Sequence, residues 1–228
     1  MGSVANLLKL FRGAGAEHTP DGPRRSAARI SRRSSGLNEF TRSIAGREGL
    51  CILDLGSTSP ANISRLTGLG HKVYTEDVLH SSYDRSLVVA CDDGKTTTID
   101  GPRFLSENLA HRGRIFDAVL AWDVPDYLPE PLVKPVIERL CATMKPGGVL
   151  LGFFHTRDAG PDAPHYRYHI AGNDMLELQP TASGQNGAPQ FRLQRVFNNR
   201  HIENLFREFA SLKFFLARDN VREVLVVR

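Results

Sequence analysis

At 228 residues and 25.3 kDa the chain has the size of one domain with an appendage. Hydrophobic residues make up 41% and charged residues 24%, enough for a packed core, and no apolar run approaches the roughly 18 residues of a bilayer-spanning helix. Wholesale disorder and a membrane-spanning helix are therefore excluded. The net charge of +4 is uneven: residues 1–50 hold nine basic side chains against four acidic ones, and the remaining residues sum to −1.

The opening MGSVANLLKLFR places Val4, Leu7, Leu8 and Phe11 on one helical face. Gly13–Ser35 follows with glycine, proline, serine and arginine and almost no apolar periodicity, the composition of a linker. Residues 1–36 are thus expected to be a basic, flexible arm. Either it lies on a membrane surface, its helix backed by arginines, or it is a solvated tail or a helix docked on the domain. Lys9 and Arg12 interrupt the only apolar cluster, so a signal peptide is not expected, and Asn6 stands where a myristoylation signal requires Ser or Thr. The domain proper is expected over 37–228, entered by a helix over 37–48 with Leu37, Phe40 and Ile44 inward.

From Leu50 the periodicity alternates. Cys51–Leu55 reads as a buried parallel strand ending at Gly56; Ser59 then caps a helix with Pro60 at its first position, and Gly68-Leu69-Gly70 ends it. His71–Thr75 is a second strand and Phe116–Trp122 a third. A helix with Val136, Ile137, Leu140, Cys141 and Met144 on one stripe follows, bent or begun at Pro135 and stopped by Lys145-Pro146-Gly147-Gly148. Gly148–Phe154 is a fourth strand. Asn199 caps a last helix, and Leu212–Leu216 and Glu223–Val227 are too close for a helical crossover, so they pair as an antiparallel hairpin. This alternation defines an α/β fold, Rossmann-like, with a doubly wound, mostly parallel sheet and helices on both faces.

Between the fourth strand and the last helix, residues 155–198 are too long for a plain connection and read as an inserted substrate cover. Within it His165-Tyr166-Arg167-Tyr168-His169 admits two readings. His and Tyr act as a base toward an acceptor, or His165, Arg167 and His169 form the wet face of a short strand with the tyrosines inward. Phe191–Val196 alternates like an edge strand. The three cysteines, Cys51, Cys91 and Cys141, are too scattered for a disulfide framework or a zinc pair, and no metal site is expected. They fit a reducing cytosol, with the arm allowing peripheral membrane contact.

In open α/β sheets ligands bind beyond the carboxyl ends of the strands, where strand order reverses. Asp54, Asp77 and Asp123 stand at three such ends, and Asp77 follows Gly56 at a spacing suited to an acid accepting bonds from ribose hydroxyls.

Four segments in register, CILDLGSTSPANISRL (51–66), VYTEDV (73–78), FDAVLAWDVPDYLP (116–129) and MKPGGVLLG (144–152), resemble the class I S-adenosylmethionine-dependent methyltransferases. The likeness covers about residues 48–155 closely and 199–228 loosely, and it implies a seven-stranded sheet with a reversed last strand. It implies S-adenosylmethionine as cofactor and transfer of its methyl group to an acceptor the sequence does not name. By this resemblance Gly56, Ser57 and Thr58, following Asp54, form the loop under the methionine and ribose parts. Asp77 holds the ribose, Glu107 or Asn108 meets the adenine, and Ala121, Trp122 and Asp123 face the methionine end or the acceptor. The family's first loop carries three alternating glycines; here only Gly56 remains, with Thr58 and Pro60 in the other places. A methyltransferase-like scaffold, whose basic arm engages membrane, nucleic acid or a protein, is the alternative. An NAD-dependent reductase is disfavoured, because no G-x-G-x-x-G run is present. No catalytic residue is assigned.

Overall fold

The computed structural model describes residues 29–92, 94–156, 164–181, 191–216 and 220–228; the amphipathic opening over 1–12 and most of the expected linker lie outside them. The chain runs β1 (Ile30–Arg33), α1 (Ser35–Ile44), β2 (Cys51–Asp54), α2 (Pro60–Gly68), β3 (Lys72–Thr75) and α3 (Val78–Ser81). A short hairpin, β4 (Val88–Ala90) with β5 (Thr97–Ile99), precedes α4 (Gly101–Glu107). Then come β6 (Phe116–Trp122), α5 (Val124–Tyr127), α6 (Glu130–Thr143) and β7 (Met144–His155). β8 (Tyr166–Ile170), β9 (Met175–Pro180), α7 (Asn199–Leu205), β10 (Ser211–Leu216) and β11 (Val221–Val227) complete it.

The main sheet has six strands in the order β10-β11-β7-β6-β2-β3. β3, β2, β6 and β7 are mutually parallel, with Leu53 opposite Tyr74 on one side and Val119 on the other. β11 runs against both β7 and β10. The reversed last strand is as expected; the seven-strand count is not. The segment after α3 that could have supplied a further edge strand folds on itself instead, because Asp92 and Gly94 turn two three-residue strands into their own antiparallel pair.

Period-two alternation divides the core. Leu53, Leu55, Val119, Leu150 and Phe154 face one layer, which includes α5, α6 and α7, while Ile52, Leu120, Leu151 and Phe153 face the other. Every residue of β6 is buried, in keeping with the apolar run Ala118–Trp122 that follows Asp117. On the second face sit α1, α2 and a three-stranded sheet in the order β1-β9-β8. This cover sheet was not foreseen. The expected arm is accordingly shorter than 1–36: Ile30 pairs with Leu178 and Arg33 with Met175, so ordered structure begins before residue 37.

The helix expected over 37–48 spans Ser35–Ile44, capped by Ser34 Oγ accepting from Leu37 N at 2.9 Å, with Leu37, Phe40 and Ile44 buried as the spacing requires. Ser59 caps α2, and Pro60 occupies its first position. α6 passes through Pro135 without stopping there, and α7 takes Asn198 rather than Asn199 as cap. Phe191–Val196 is not a strand. β8 is an edge strand paired only with β9, and 191–196 does not add to it. The segment is held instead by Gln194 N donating to Asp126 O and by Phe191 packed on His165 and Tyr83.

Candidate functional site

From β2 the chain passes to β3 on one side, then crosses to β6 on the other, so the strand order reverses between β2 and β6. Their carboxyl ends present Asp54-Leu55-Gly56-Ser57 and Trp122-Asp123 to a common crevice, with Asp77 following the neighbouring β3. Leu55 N donates to Leu120 O at 2.9 Å and extends the pairing one residue beyond β2. Ser57 Oγ donates to Asp77 Oδ2 at 3.0 Å, and Asp77 Oδ1 accepts from His80 N at 3.0 Å as the cap of α3. Asp77 is half-buried, and Ser57 brings the first loop to it. Thr58 and Pro60, the residues in the place of glycines, are exposed and turned to solvent.

The other half of the crevice is filled by side chains. Asp54, 2% exposed, accepts from Trp122 Nε1 at 2.6 Å and from Asn62 Nδ2 at 2.9 Å. Burial pushes its carboxyl up to about 6, against the lowering effect of those two bonds. Asn62 also donates to Tyr168 O at 3.0 Å and accepts from Ile170 N at 2.7 Å, fastening β8 onto α2. Ser59 Oγ shares a 2.8 Å bond with His169 Nδ1. The Tyr168 ring stacks on the Trp122 indole at 5.0 Å and 3°, and its hydroxyl donates to Asp123 Oδ2 at 2.9 Å. Between Gly56, Ser57, Trp122, Asp123, His165 and Tyr168 a cavity of about 10 Å³ remains, room for one water.

Trp122 itself carries a backbone φ of 47°, in the left-handed region that a bulky residue rarely adopts, where the pairing of β6 with β7 shifts register. A Cβ built on Gly56 would stand 3.2 Å from Trp122 Cδ1. Glycine is needed at 56 for this close approach.

Of the 165–169 run the short strand forms, with Tyr168 buried and Tyr166 packed against the core, but its other face is not wet, because His165 and His169 are both buried. Burial drives the His165 imidazole below its ordinary range, and Thr181 Oγ1 lies 3.1 Å from its Nδ1.

Ala121 is 1% exposed and faces the core layer of Leu150 and Phe154. Glu107 is exposed on α4 and paired with Arg103 Nε at 2.7 Å, and Asn108 Nδ2 donates back to Phe104 O at 3.1 Å. Both are engaged by their own helix. Glu76, which the sequence reading passed over for its neighbour, accepts from Leu109 N at 2.7 Å and meets His111 Nε2 at 2.6 Å, tying the chain after α4 to the end of β3.

A second pair lies one strand further along. Asp126, 0% exposed in α5, meets His155 at the end of β7: Oδ2 accepts from His155 N at 2.6 Å and lies 2.7 Å from Nδ1. Burial pushes the Asp126 carboxyl up to about 6, and its Oδ1 has no hydrogen-bond partner among the described residues. The Tyr127 ring sits edge-on to both His155 and His165, at 5.8 and 4.9 Å. A buried carboxylate orienting an imidazole in this way suits proton transfer. The only sequence signal for it was a histidine closing the fourth strand.

No protein-family model matches the chain, and no curated protein matches it. Among solved structures, a possible exported protein from Bordetella parapertussis is 16% identical, covering 84% of this chain and 66% of that one at a TM-score of 0.46. An O-methyltransferase family protein from Burkholderia thailandensis is 15% identical, covering 84% and 47% at 0.42. The same organism's 1,6-didemethyltoxoflavin-N1-methyltransferase, with 1,6-didemethyltoxoflavin and S-adenosylhomocysteine bound, is 12% identical, covering 85% and 77% at 0.45. The chain thus spans just under two thirds and about half of the first two. Likenesses this distant do not reach activity.

Proposed function

We propose that the chain is a methyltransferase that binds S-adenosylmethionine across the carboxyl ends of β2 and β3. The observation that carries this reading is the Ser57–Asp77 bond at 3.0 Å, which joins the loop after one strand to the acid after the next at the point of strand reversal. The fit of the cofactor is divided. At the ribose end, each Asp77 oxygen takes one donor and retains capacity for another, the acceptor set a vicinal diol needs. At the methionine end, Trp122 lies over Gly56 and covers Asp54, which is 2% exposed, so that part of the cofactor does not fit this arrangement. When bound, the sulfonium supplies an electrophilic methyl, and the protein's task is alignment of the acceptor. Our candidate for the base that takes a proton from it is His155, which Asp126 orients.

The scaffold reading has one observation in its favour, the filled space over Gly56. Its basic arm is reduced, because Arg29, Arg32 and Arg33 pair with Glu177, Glu223 and Asp174 and leave residues 1–28 with four basic side chains against two acidic ones.

Calorimetric titration with S-adenosylmethionine and with S-adenosylhomocysteine decides between them. The methyltransferase reading expects micromolar binding that Asp77→Ala weakens at least tenfold; silence at millimolar ligand leaves the scaffold.

A further inference from the structure

The main sheet ends on one side in β10, which pairs with β11, and among the described residues no strand adds to its outer side. Antiparallel geometry turns the N–H and C=O of every second residue of such a strand outward, a template for one more strand. The usual means of blunting an edge are sparse here. The pairing with β11 runs from Ser211–Val227 to Leu216–Arg222 without a bulge, the strand holds no proline, and Lys213 is its only charged residue. Leu212, Phe214 and Leu216 share one face by period two. Leu212 and Phe214 are half-buried against the core layer of α6 and α7, while Leu216, 85% exposed, is the most exposed large apolar side chain among the described residues. On the other face Lys213 Nζ lies 3.3 Å from Glu39 of α1 and 5.0 Å from the centre of the Phe215 ring.

We propose that β10 is a dimer interface, to which a second copy of this chain adds its own β10, antiparallel, about a two-fold axis normal to the sheet at Phe214. Self-complementarity selects both this occupant and this register. Such an axis keeps like faces together, so Phe214 meets Phe214 of the second copy, and Leu212 and Leu216 meet each other on both sides of it. The apolar row is continued and the exposed Leu216 is covered. On the other face Lys213 stands opposite Phe215 of the second copy, the kind of ring it already lies over in its own chain. Moving the axis by one residue, to Lys213, would oppose two ammonium groups, and like charges directly opposite each other destabilise a strand pair. The two-fold pairing consumes both β10 edges, so assembly stops at two copies. None of this depends on the methyltransferase reading.

The test is sedimentation equilibrium of the whole chain between about 1 and 100 μM, where a reversible dimer with a micromolar dissociation constant is expected. Leu216→Glu changes a side chain too exposed to matter for the fold, and each dimer meets it twice. It is expected to raise the dissociation constant at least tenfold. Mild oxidation of Phe214→Cys is expected to give a cross-linked dimer, because directly opposite Cα atoms of an antiparallel pair lie about 4.5–5.5 Å apart, within disulfide reach. Leu216→Cys, opposite residue 212, is expected to stay uncrosslinked. The wild type, with Cys51, Cys91 and Cys141, is the oxidation control. A monomer throughout the range, a dimer that Leu216→Glu leaves equally tight, open-ended polymers, or cross-linking through Leu216→Cys and not Phe214→Cys each overturns the proposal. Should Phe214→Cys not fold, sedimentation of the wild type and of Leu216→Glu decides.

Discussion

Asn62 is the residue on which the closed crevice depends most directly, and its removal gives a measurable number. The side chain is 1% exposed and makes three bonds, to Asp54 Oδ2, Tyr168 O and Ile170 N. In Asn62→Ala all three partners remain buried and lose their bond. An unsatisfied buried group costs about 1–3 kcal/mol, and two of the partners are backbone groups of one strand that can relax together, so a total of roughly 3–6 kcal/mol follows. A domain of this size shifts by about 2–4 °C per kcal/mol, which places the loss at roughly 10–20 °C in Tm. Asn62→Leu supplies the control: it fills the space but makes no bonds, so the Ala–Leu difference reports the cavity and the shared loss reports the polar groups. Urea unfolding would be followed by far-ultraviolet circular dichroism and by the emission of Trp122. Because Asn62 lowers the Asp54 pKa, its loss also raises that carboxyl beyond the present value of about 6. A stability change below about 1 kcal/mol in both variants would refute the claim that the cover is fastened through this side chain.

Two more consequences can be read from stability. Asp126 has its carboxyl raised from 3.8 to about 6, chiefly by burial, so between these values the folded chain keeps a proton that the unfolded chain releases. Stability therefore falls as pH rises through that window and levels off above it. Asp126→Asn, whose amide oxygen can still accept both His155 bonds, is expected to flatten part of this decline, read as the urea midpoint at pH 4 and pH 6.5. A variant that tracks the wild type at both pH values would contradict the assignment. Deletion of residues 1–33 removes β1 and with it Arg32, whose partner Glu223 is 1% exposed and also accepts from Gly36 N at 2.6 Å. Compared with deletion of 1–28, this should cost about 3–5 kcal/mol, the penalty of a buried charge left without its partner, seen as a Tm lower by roughly 10 °C or more. Equal Tm values for the two deletions would show that β1 is only laid against the cover.

The parts of the fold that were legible share a cause. Phe116–Trp122 is buried along its whole length, so its composition alone marks it as a central strand, and the Ser59-Pro60 start and the Leu37, Phe40, Ile44 face are local patterns. The cover sheet has no such local mark. Ile30-Ser31-Arg32-Arg33 shows no apolar alternation; it becomes a strand through its pairing with β9 and through an ion pair with Glu223, 191 residues away. At the site, position was legible and state was not. The sequence placed Asp54, Asp77 and Asp123 at strand ends correctly, but whether a carboxylate is open to a ligand depends on partners far along the chain. Tyr168 holds Asp123 from 45 residues away, Trp122 holds Asp54 from 68, and Asp77 alone of the three remains half-buried. The Asp126–His155 pair was missed for the same reason, since neither residue has a motif and only the packing of α5 on β7 brings them together.

The enzyme and scaffold readings are two ends of one energy scale, set by how much it costs to move Trp122 and Tyr168 off Gly56. Apparent affinity is the intrinsic affinity multiplied by the open fraction. A charge-assisted bond from the indole to Asp54 is worth about 1.5–3 kcal/mol and an aromatic pair about 0.5–1.5, while the left-handed backbone returns about 1–2 on release. The balance is near 2 kcal/mol, an open fraction of a few per cent, and a roughly thirtyfold weakening that still leaves a micromolar ligand measurable. If the Asn62 bonds must break as well, a further 3–6 kcal/mol pushes the open fraction below about one in a thousand, and millimolar ligand cannot hold the crevice open. Whether the indole swings alone or carries β8 with it therefore decides between the two functions. The Asn62 variants settle the point: if β8 must lift, Asn62→Ala tightens S-adenosylhomocysteine binding as it lowers stability, and if Trp122 moves alone, stability falls while affinity stays where it was.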